Sequence, residues 1–146
     1  MTSLKDFRKQ VVLLFFGYTS CPDLCPVTTA KMAHLQRTLA KEGTALQPIL
    51  ITIDPERDHP ARLKAYLAGY DGNIVGLTGT LEQVRNAAKV FRARAQKQEV
   101  KGLDPYLVAH TEYLYLLDGN GRLRYLFPAD TDDALLAEGV RQAGRG

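Results

Sequence analysis

The only two cysteines of the chain, Cys21 and Cys25, stand together in the segment Tyr18-Thr-Ser-Cys-Pro-Asp-Leu-Cys-Pro26. A C-x3-C spacing puts two thiols within reach of one ion or of each other. On a helix, residues i and i+4 share a face. The flanking prolines point instead to a loop that turns into a helix, where the sulfurs still converge. Pro26 suits the first helical turn, in which its missing N–H costs nothing. The thiolate is the reactive form of cysteine, and a helix N-terminus lowers a thiol's pKa. Two soft thiolates favour Cu(I), and they suit zinc when further ligands join. Cysteines this close cannot staple a fold, so the pair reads as a local redox or metal site.

Two thiolates rarely complete a site for a divalent ion, and the chain offers three histidines. His110 is the best placed, because it ends a long loop just before a predicted strand that can lie beside the first strand. His34 falls on the helix after the cysteines and reads as a surface residue. His59 lies in Asp54-Pro-Glu-Arg-Asp-His-Pro60, where a loop or capping role outweighs ligation. Asp23 suits an Asx-turn with the loop backbone better than it suits a metal. Tyr113 and Tyr115 alternate along a predicted strand and read as sheet packing.

These residues need elements to hold them. Val11-Val-Leu-Leu-Phe-Phe16, closed by Gly17, reads as a strand buried on both faces. From Val27 the period becomes helical: Met32, Leu35 and Leu39 predict a helix to about Glu42, with Gly43 as its stop. Pro48-Ile-Leu-Ile-Thr-Ile53 is a second buried strand. Asp58 is expected to cap the next helix, with Pro60 in the first turn and Leu63, Tyr66, Leu67 and Tyr70 on the apolar face. Asn73 to Leu77 reads as a short strand. Thr80-x-x-Gln83 fits a capping box for a helix lined by Leu81, Val84, Ala88 and Phe91. Gln96 to Ala109 shows no clear period. Thr111 to Leu117 and Arg122 to Phe127 flank the hairpin turn Asp118-Gly-Asn-Gly121. Asp130 to Asp133 then open a final helix over Leu135, Leu136 and Val140.

The order βαβαβαββα describes an α/β fold whose parallel first half is joined by an antiparallel hairpin. A thioredoxin-like, peroxiredoxin-related sheet with helices on both faces and a C-terminal β-hairpin and helix fits it. The cysteine loop then lies at the carboxyl end of the first strand, where ligand sites gather in open α/β sheets.

A chain of 146 residues is expected to form a single domain, residues 1–146. Its net charge of +3 is spread over the chain. The densest basic cluster, Arg92 to Lys97, reads as a solvated helix face, so no nucleic-acid partner is expected. The longest apolar stretch, Val11 to Phe16, falls far short of the roughly 18 residues of a spanning helix. Met1 to Gln10 carries charges and is followed by no signal-cleavage pattern. Nothing in the pattern demands more than a monomer.

Three segments resemble the Sco/SenC family in the same order: Phe15-Phe-Gly-Tyr-Thr-Ser-Cys-Pro-Asp-Leu-Cys-Pro26, Ile53-Asp-Pro-Glu-Arg-Asp-His-Pro60, and His110 leading into Tyr115-Leu-Leu-Asp-Gly-Asn-Gly121. The likeness runs from about Leu4 to Val140, and the G-[YF]-T-x-C-P-D-x-C-P motif with D-P-E-R-D-x-P downstream is specific. The resemblance implies a thioredoxin-like fold and one copper site, for Cu(I) or Cu(II), with Cys21, Cys25 and His110 as ligands. It implies a metallochaperone that delivers copper to, or reduces the thiols of, the dinuclear copper centre of cytochrome c oxidase. The partner would be the subunit carrying that centre, or another copper or thiol protein. It also implies an extracytoplasmic place, at the outer face of the bacterial inner membrane or in the mitochondrial intermembrane space, with a membrane anchor in full-length members.

The chain departs from the family pattern in three ways. Ala109 stands where an Asp usually precedes the ligand histidine, so no carboxylate supports the imidazole from there. His59 stands where Thr is common and adds a spare imidazole near the site. The usual anchor and extra strand pair do not precede Asp6-Phe7-Arg8, so one sheet edge is expected to be open or rebuilt.

Other thiol chemistries compete for the same residues. A thiol–disulfide oxidoreductase would attack with Cys21 and resolve with Cys25. The usual spacing for that chemistry is C-x2-C, one residue shorter. A thiol peroxidase would use a single peroxidatic cysteine in a Thr-x-x-Cys setting, whereas Cys21 pairs locally with Cys25.

Overall fold

The computed structural model describes residues 10–19, 24–53, 55–70, 72–80, 82–83, 86 and 113–145. The elements are β1 (Val12–Gly17), α1 (Leu24–Lys41), β2 (Gln47–Thr52), α2 (Pro60–Leu67), β3 (Val75–Leu77), β4 (Tyr113–Leu117), β5 (Leu123–Pro128) and α3 (Asp133–Arg145). They build a sheet in the order β3-β2-β1-β4-β5. β1, β2 and β3 run parallel; β4 runs antiparallel to β1, and β5 to β4. The described elements follow the α/β order expected from the sequence, with the hairpin on one side of a parallel unit; the helix expected between β3 and β4 falls largely outside the described residues.

β1 and β2 are buried at every position. Both have neighbours on both sides, which is why each carries an unbroken apolar run, Val12–Phe16 and Pro48–Ile51, rather than an alternating pattern. Phe15 sits between Leu50 and Leu114 at the centre of the sheet. All three side chains are fully buried.

The register assigns the helices to a face. Leu116 pairs with Leu13, Leu13 with Pro48, and Leu50 with both Phe15 and Gly76, so these residues share one face. Leu63 and Leu67 of α2 press on Gly76, and Gly139 of α3 lies against Phe127 and Leu116. α1 joins α3 through ion pairs of Lys31 with Asp133 and of Arg141 with Glu42. Among the described residues, α1, α2 and α3 therefore cover the same face. The return from β3 to β4 begins with the predicted capping box, in which Thr80 N–H donates to Gln83 Oε1 and Gln83 N–H to Thr80 Oγ1. Leu81, Val84, Ala88, Phe91 and the stretch Gln96 to Ala109 lie outside the described residues.

Several boundaries differ from the sequence expectation, each for a local reason. α1 opens at Leu24 rather than Val27. The first N–H groups of any helix lack intrahelical acceptors, so Pro26 is tolerated throughout the first turn and does not have to start it. At the other end the predicted stop holds. Thr44 N–H bonds Leu39 C=O, Gly43 N–H bonds Ala40 C=O, and Gly43 takes φ +78°, which is a Schellman cap. β3 is shorter than Asn73 to Leu77. The Asn73 carbonyl accepts from Gln36 and Gln47, and its N–H donates to Gln36, so its backbone is taken out of the ladder.

The N-cap of α2 is His59, not Asp58. Its backbone is extended, and Nδ1 accepts from Arg62 N–H at 3.3 Å. The Asp58 carboxylate is fully buried and engaged elsewhere, so the cap passes to the next side chain that can accept.

The hairpin turn is held by Asp118, whose Oδ1 accepts from Asn120 N–H and Arg122 N–H. Those bonds, with the first from Arg122 strongest, hold its carboxyl below the usual carboxylate range despite burial. A carboxyl with a lowered folded pKa contributes stability that is complete above its unfolded value, about pH 4, and is lost as pH falls through the folded value. Wild type should therefore lose stability on acidification in that window. Asp118→Asn should start less stable at neutral pH and show a shallower loss, read by urea unfolding at pH 7, 4 and 3.

Candidate metal centre

The parallel strands end together: β1 at Gly17, β2 at Thr52 and β3 at Leu77. Because β4 is antiparallel to β1, with Phe15 opposite Leu114, its first residue Tyr113 lies at that same carboxyl edge. The segment carrying Cys21 leaves the sheet there after Gly17, and the segment carrying His110 re-enters there before Tyr113. Cys21 is four positions past Gly17, and His110 is three positions before Tyr113. At roughly 3.5 Å per residue, either segment can reach over the edge. Cys21 and His110 themselves lie outside the described residues. Cys25 is the second residue of α1, so its backbone belongs to the first helical turn. This is a shift from loop to helix relative to the sequence reading, and it sets the residue at the positive end of the helix dipole.

The other candidates resolve as follows. His34 is exposed on α1, as expected of a surface residue. His59 is exposed and caps α2, the role favoured over ligation. Asp23 lies outside the described residues. Tyr115 is buried with its ring edge-on to Phe16, which is sheet packing; burial, helped by Tyr113, pushes its phenol up. Tyr113 is more exposed at the strand's start. Among the described residues no group of three His, Cys, Asp or Glu side chains converges as a metal site.

The feature the sequence reading missed is what surrounds Asp58. Its Oδ2 accepts from Thr19 N–H at 2.9 Å and from Thr52 Oγ1 at 2.7 Å. Its Oδ1 accepts from Thr19 Oγ1 at 2.5 Å and faces Arg62 Nε at 3.5 Å. Arg62 Nε also donates to Thr19 Oγ1 at 2.9 Å. A carboxylate is acceptor-only, and three hydrogen-bond donors and one ion-paired guanidinium meet it here. A buried charge is costly unless paired and hydrogen-bonded, and this one is both. The available signal was Asp58 four residues before Arg62, in a loop that follows a strand ending in Thr52.

A family model described as SCO1/SenC matches residues 1–144. The chain is 43% identical over 120 residues to protein SCO1, mitochondrial, of Saccharomyces cerevisiae, spanning 81% of this chain and 41% of that relative's length. In structure it is similar to yeast Sco1 with copper bound, at TM-score 0.80 and 32% identity, covering 97% of this chain and 82% of that one. It is equally similar, at TM-score 0.80 and 29% identity, to BsSco, described as a member of the Sco family of cytochrome c oxidase assembly proteins with a disulfide switch. That likeness covers 97% of this chain and 84% of that one. The sheet with its crossovers and closing hairpin is thus a thioredoxin-like fold of the Sco type.

Proposed function

The chain belongs to the SCO1/SenC family, and on that premise we propose that it is a copper metallochaperone acting in the assembly of cytochrome c oxidase. Copper is its cargo, held by Cys21, Cys25 and His110. What supports the reading is the C-x3-C spacing in the segment that follows β1, with the backbone of Cys25 in the first turn of α1. Two thiolates at a helix N-terminus make a soft, anionic donor set, which suits Cu(I), and the imidazole completes three-coordination. Yeast Sco1, similar over nearly the whole chain, is a copper-bound protein, which supports the assignment.

Each residue has a separate task. Cys21 and Cys25 bind as thiolates and release their protons on binding, so affinity rises with pH through the thiol range. His110 adds a borderline nitrogen donor that suits Cu(II) as well. The cargo leaves by ligand exchange: thiolates of the recipient displace Cys21 and Cys25 one at a time, so the ion is never without a sulfur ligand. The recipient is the subunit that carries the dinuclear copper centre, and the exchange takes place on the extracytoplasmic side. The whole chain, 1–146, acts as one domain and as a monomer.

An anaerobic copper titration of the fully reduced protein tests this reading. One equivalent should survive desalting, and the Cu(II) form should absorb through sulfur-to-copper charge transfer. Loss of all copper on desalting, with both thiols still free, would overturn it.

A further inference from the structure

We propose that Asp58 is the positioning residue of the cysteine pair: it fixes where the chain leaves β1 and so sets Cys21 against Cys25. The proposal deepens the copper reading and rests on it for the metal readout alone.

Asp58 is fully buried at the carboxyl edge of the sheet. Its partners come from three different places: Thr19 just beyond β1, Thr52 at the last position of β2, and Arg62 in α2. Thr19 contributes both its N–H and its hydroxyl. The carboxylate thereby fixes the backbone and the side chain of Thr19 together.

Only residues 20–23 separate Thr19 from the start of α1, and Cys21 is among them. Cys25 is carried by α1 itself. That helix has its own supports: Met32, Leu35 and Leu39 in the core, and Lys31, which donates to Thr131 C=O and pairs with Asp133. The two cysteines therefore hang from different supports, one on the helix and one two residues past a threonine clamped by Asp58. Four residues of chain join the two supports.

The chemistry of the hub makes it sensitive to single atoms. Asn at position 58 would turn an N–H2 group toward donors. Val at position 19 keeps the shape of Thr but removes the hydroxyl that both Asp58 and Arg62 use. Ser at position 19 keeps hydroxyl and N–H. Asp118 supplies the contrast. It too is a buried carboxylate with backbone donors, but it follows Leu117, which pairs with Val12 at the opposite end of β1.

The experiment compares wild type with Asp58→Asn, Thr19→Val, Thr19→Ser and Asp118→Asn, each checked for folding by circular dichroism and melting. One readout is the equilibrium of Cys21 and Cys25 with a glutathione redox buffer, which needs no metal and reports how closely one thiol is held to the other. The other is Cu(I) affinity by competition with a chromophoric chelator. Asp58→Asn and Thr19→Val should shift the glutathione equilibrium toward the open dithiol and lower Cu(I) affinity, each by about tenfold or more. Thr19→Ser should restore both, and Asp118→Asn should lower the melting temperature while leaving both at wild-type values.

Should Asp58→Asn fail to fold, the Thr19→Val and Thr19→Ser pair decides. A folded Asp58→Asn or Thr19→Val protein with an unchanged glutathione equilibrium would overturn the proposal. So would Asp118→Asn moving that equilibrium as far as they do. If wild type retains no copper, the copper reading fails, while the glutathione comparison still decides the role of Asp58.

Discussion

Cys21→Ser is expected to abolish stoichiometric copper binding, and Cys25→Ser to do the same. A serine hydroxyl is a hard donor that stays protonated at neutral pH, so the substitution replaces a soft anionic ligand with a neutral one. Cu(I) selects thiolate over oxygen donors, and one remaining thiolate with one imidazole does not hold the ion through a desalting column. The proton linkage points the same way: each bound thiolate gives up a proton, and removing one removes part of the pH dependence. Copper per chain should fall from one equivalent to near zero, and the sulfur-to-Cu(II) absorption should vanish. The side chains differ by one atom, so the fold is expected to persist in both variants. One equivalent retained by either single variant would remove that cysteine from the site.

His110→Ala should discriminate between the two oxidation states. Two thiolates can satisfy Cu(I) by themselves, whereas Cu(II) prefers more donors and accepts imidazole nitrogen readily. The variant should therefore lose at least about tenfold in Cu(II) affinity, about 1.4 kcal/mol, with a much smaller change for Cu(I). Ala109 sharpens the effect, because the residue before His110 offers no carboxylate to take over. His59→Ala is the matched control: its Nδ1 is engaged as the α2 cap, and copper binding should be unchanged. Competition titrations in both oxidation states read the difference. Equal Cu(II) affinity in wild type and His110→Ala would exclude His110 as a ligand.

Legibility differed from element to element for physical reasons. β1 and β2 were plain because strands buried on both faces carry unbroken apolar runs, here Val12–Phe16 and Pro48–Ile51, within strands that are buried throughout. The Thr80–Gln83 capping box and the Asp118 turn were plain because both are made by residues within a few positions of each other. Three other features were not. The N-cap of α2 went to His59 because Asp58 was claimed by Thr19 and Thr52, residues from other elements. β3 lost Asn73 to the amides of Gln36 and Gln47. α1 gained Leu24 and Cys25 because proline tolerates any place in a first turn.

The division between the two sources of information follows from range. Residue type and spacing by themselves determined the chemistry: two thiols at C-x3-C, three histidines of which one precedes a strand, and motifs of the Sco/SenC kind. They also determined the order of elements, since each element's period is local. The tertiary structure alone decided where Asp58 points. Its four contacts reach Thr19, Thr52 and Arg62, and the Thr19 contact spans 39 residues of chain. No local pattern encodes such a contact. It exists because β1 and β2 lie side by side and end at one edge, which leaves a buried place where a carboxylate must find every donor it needs.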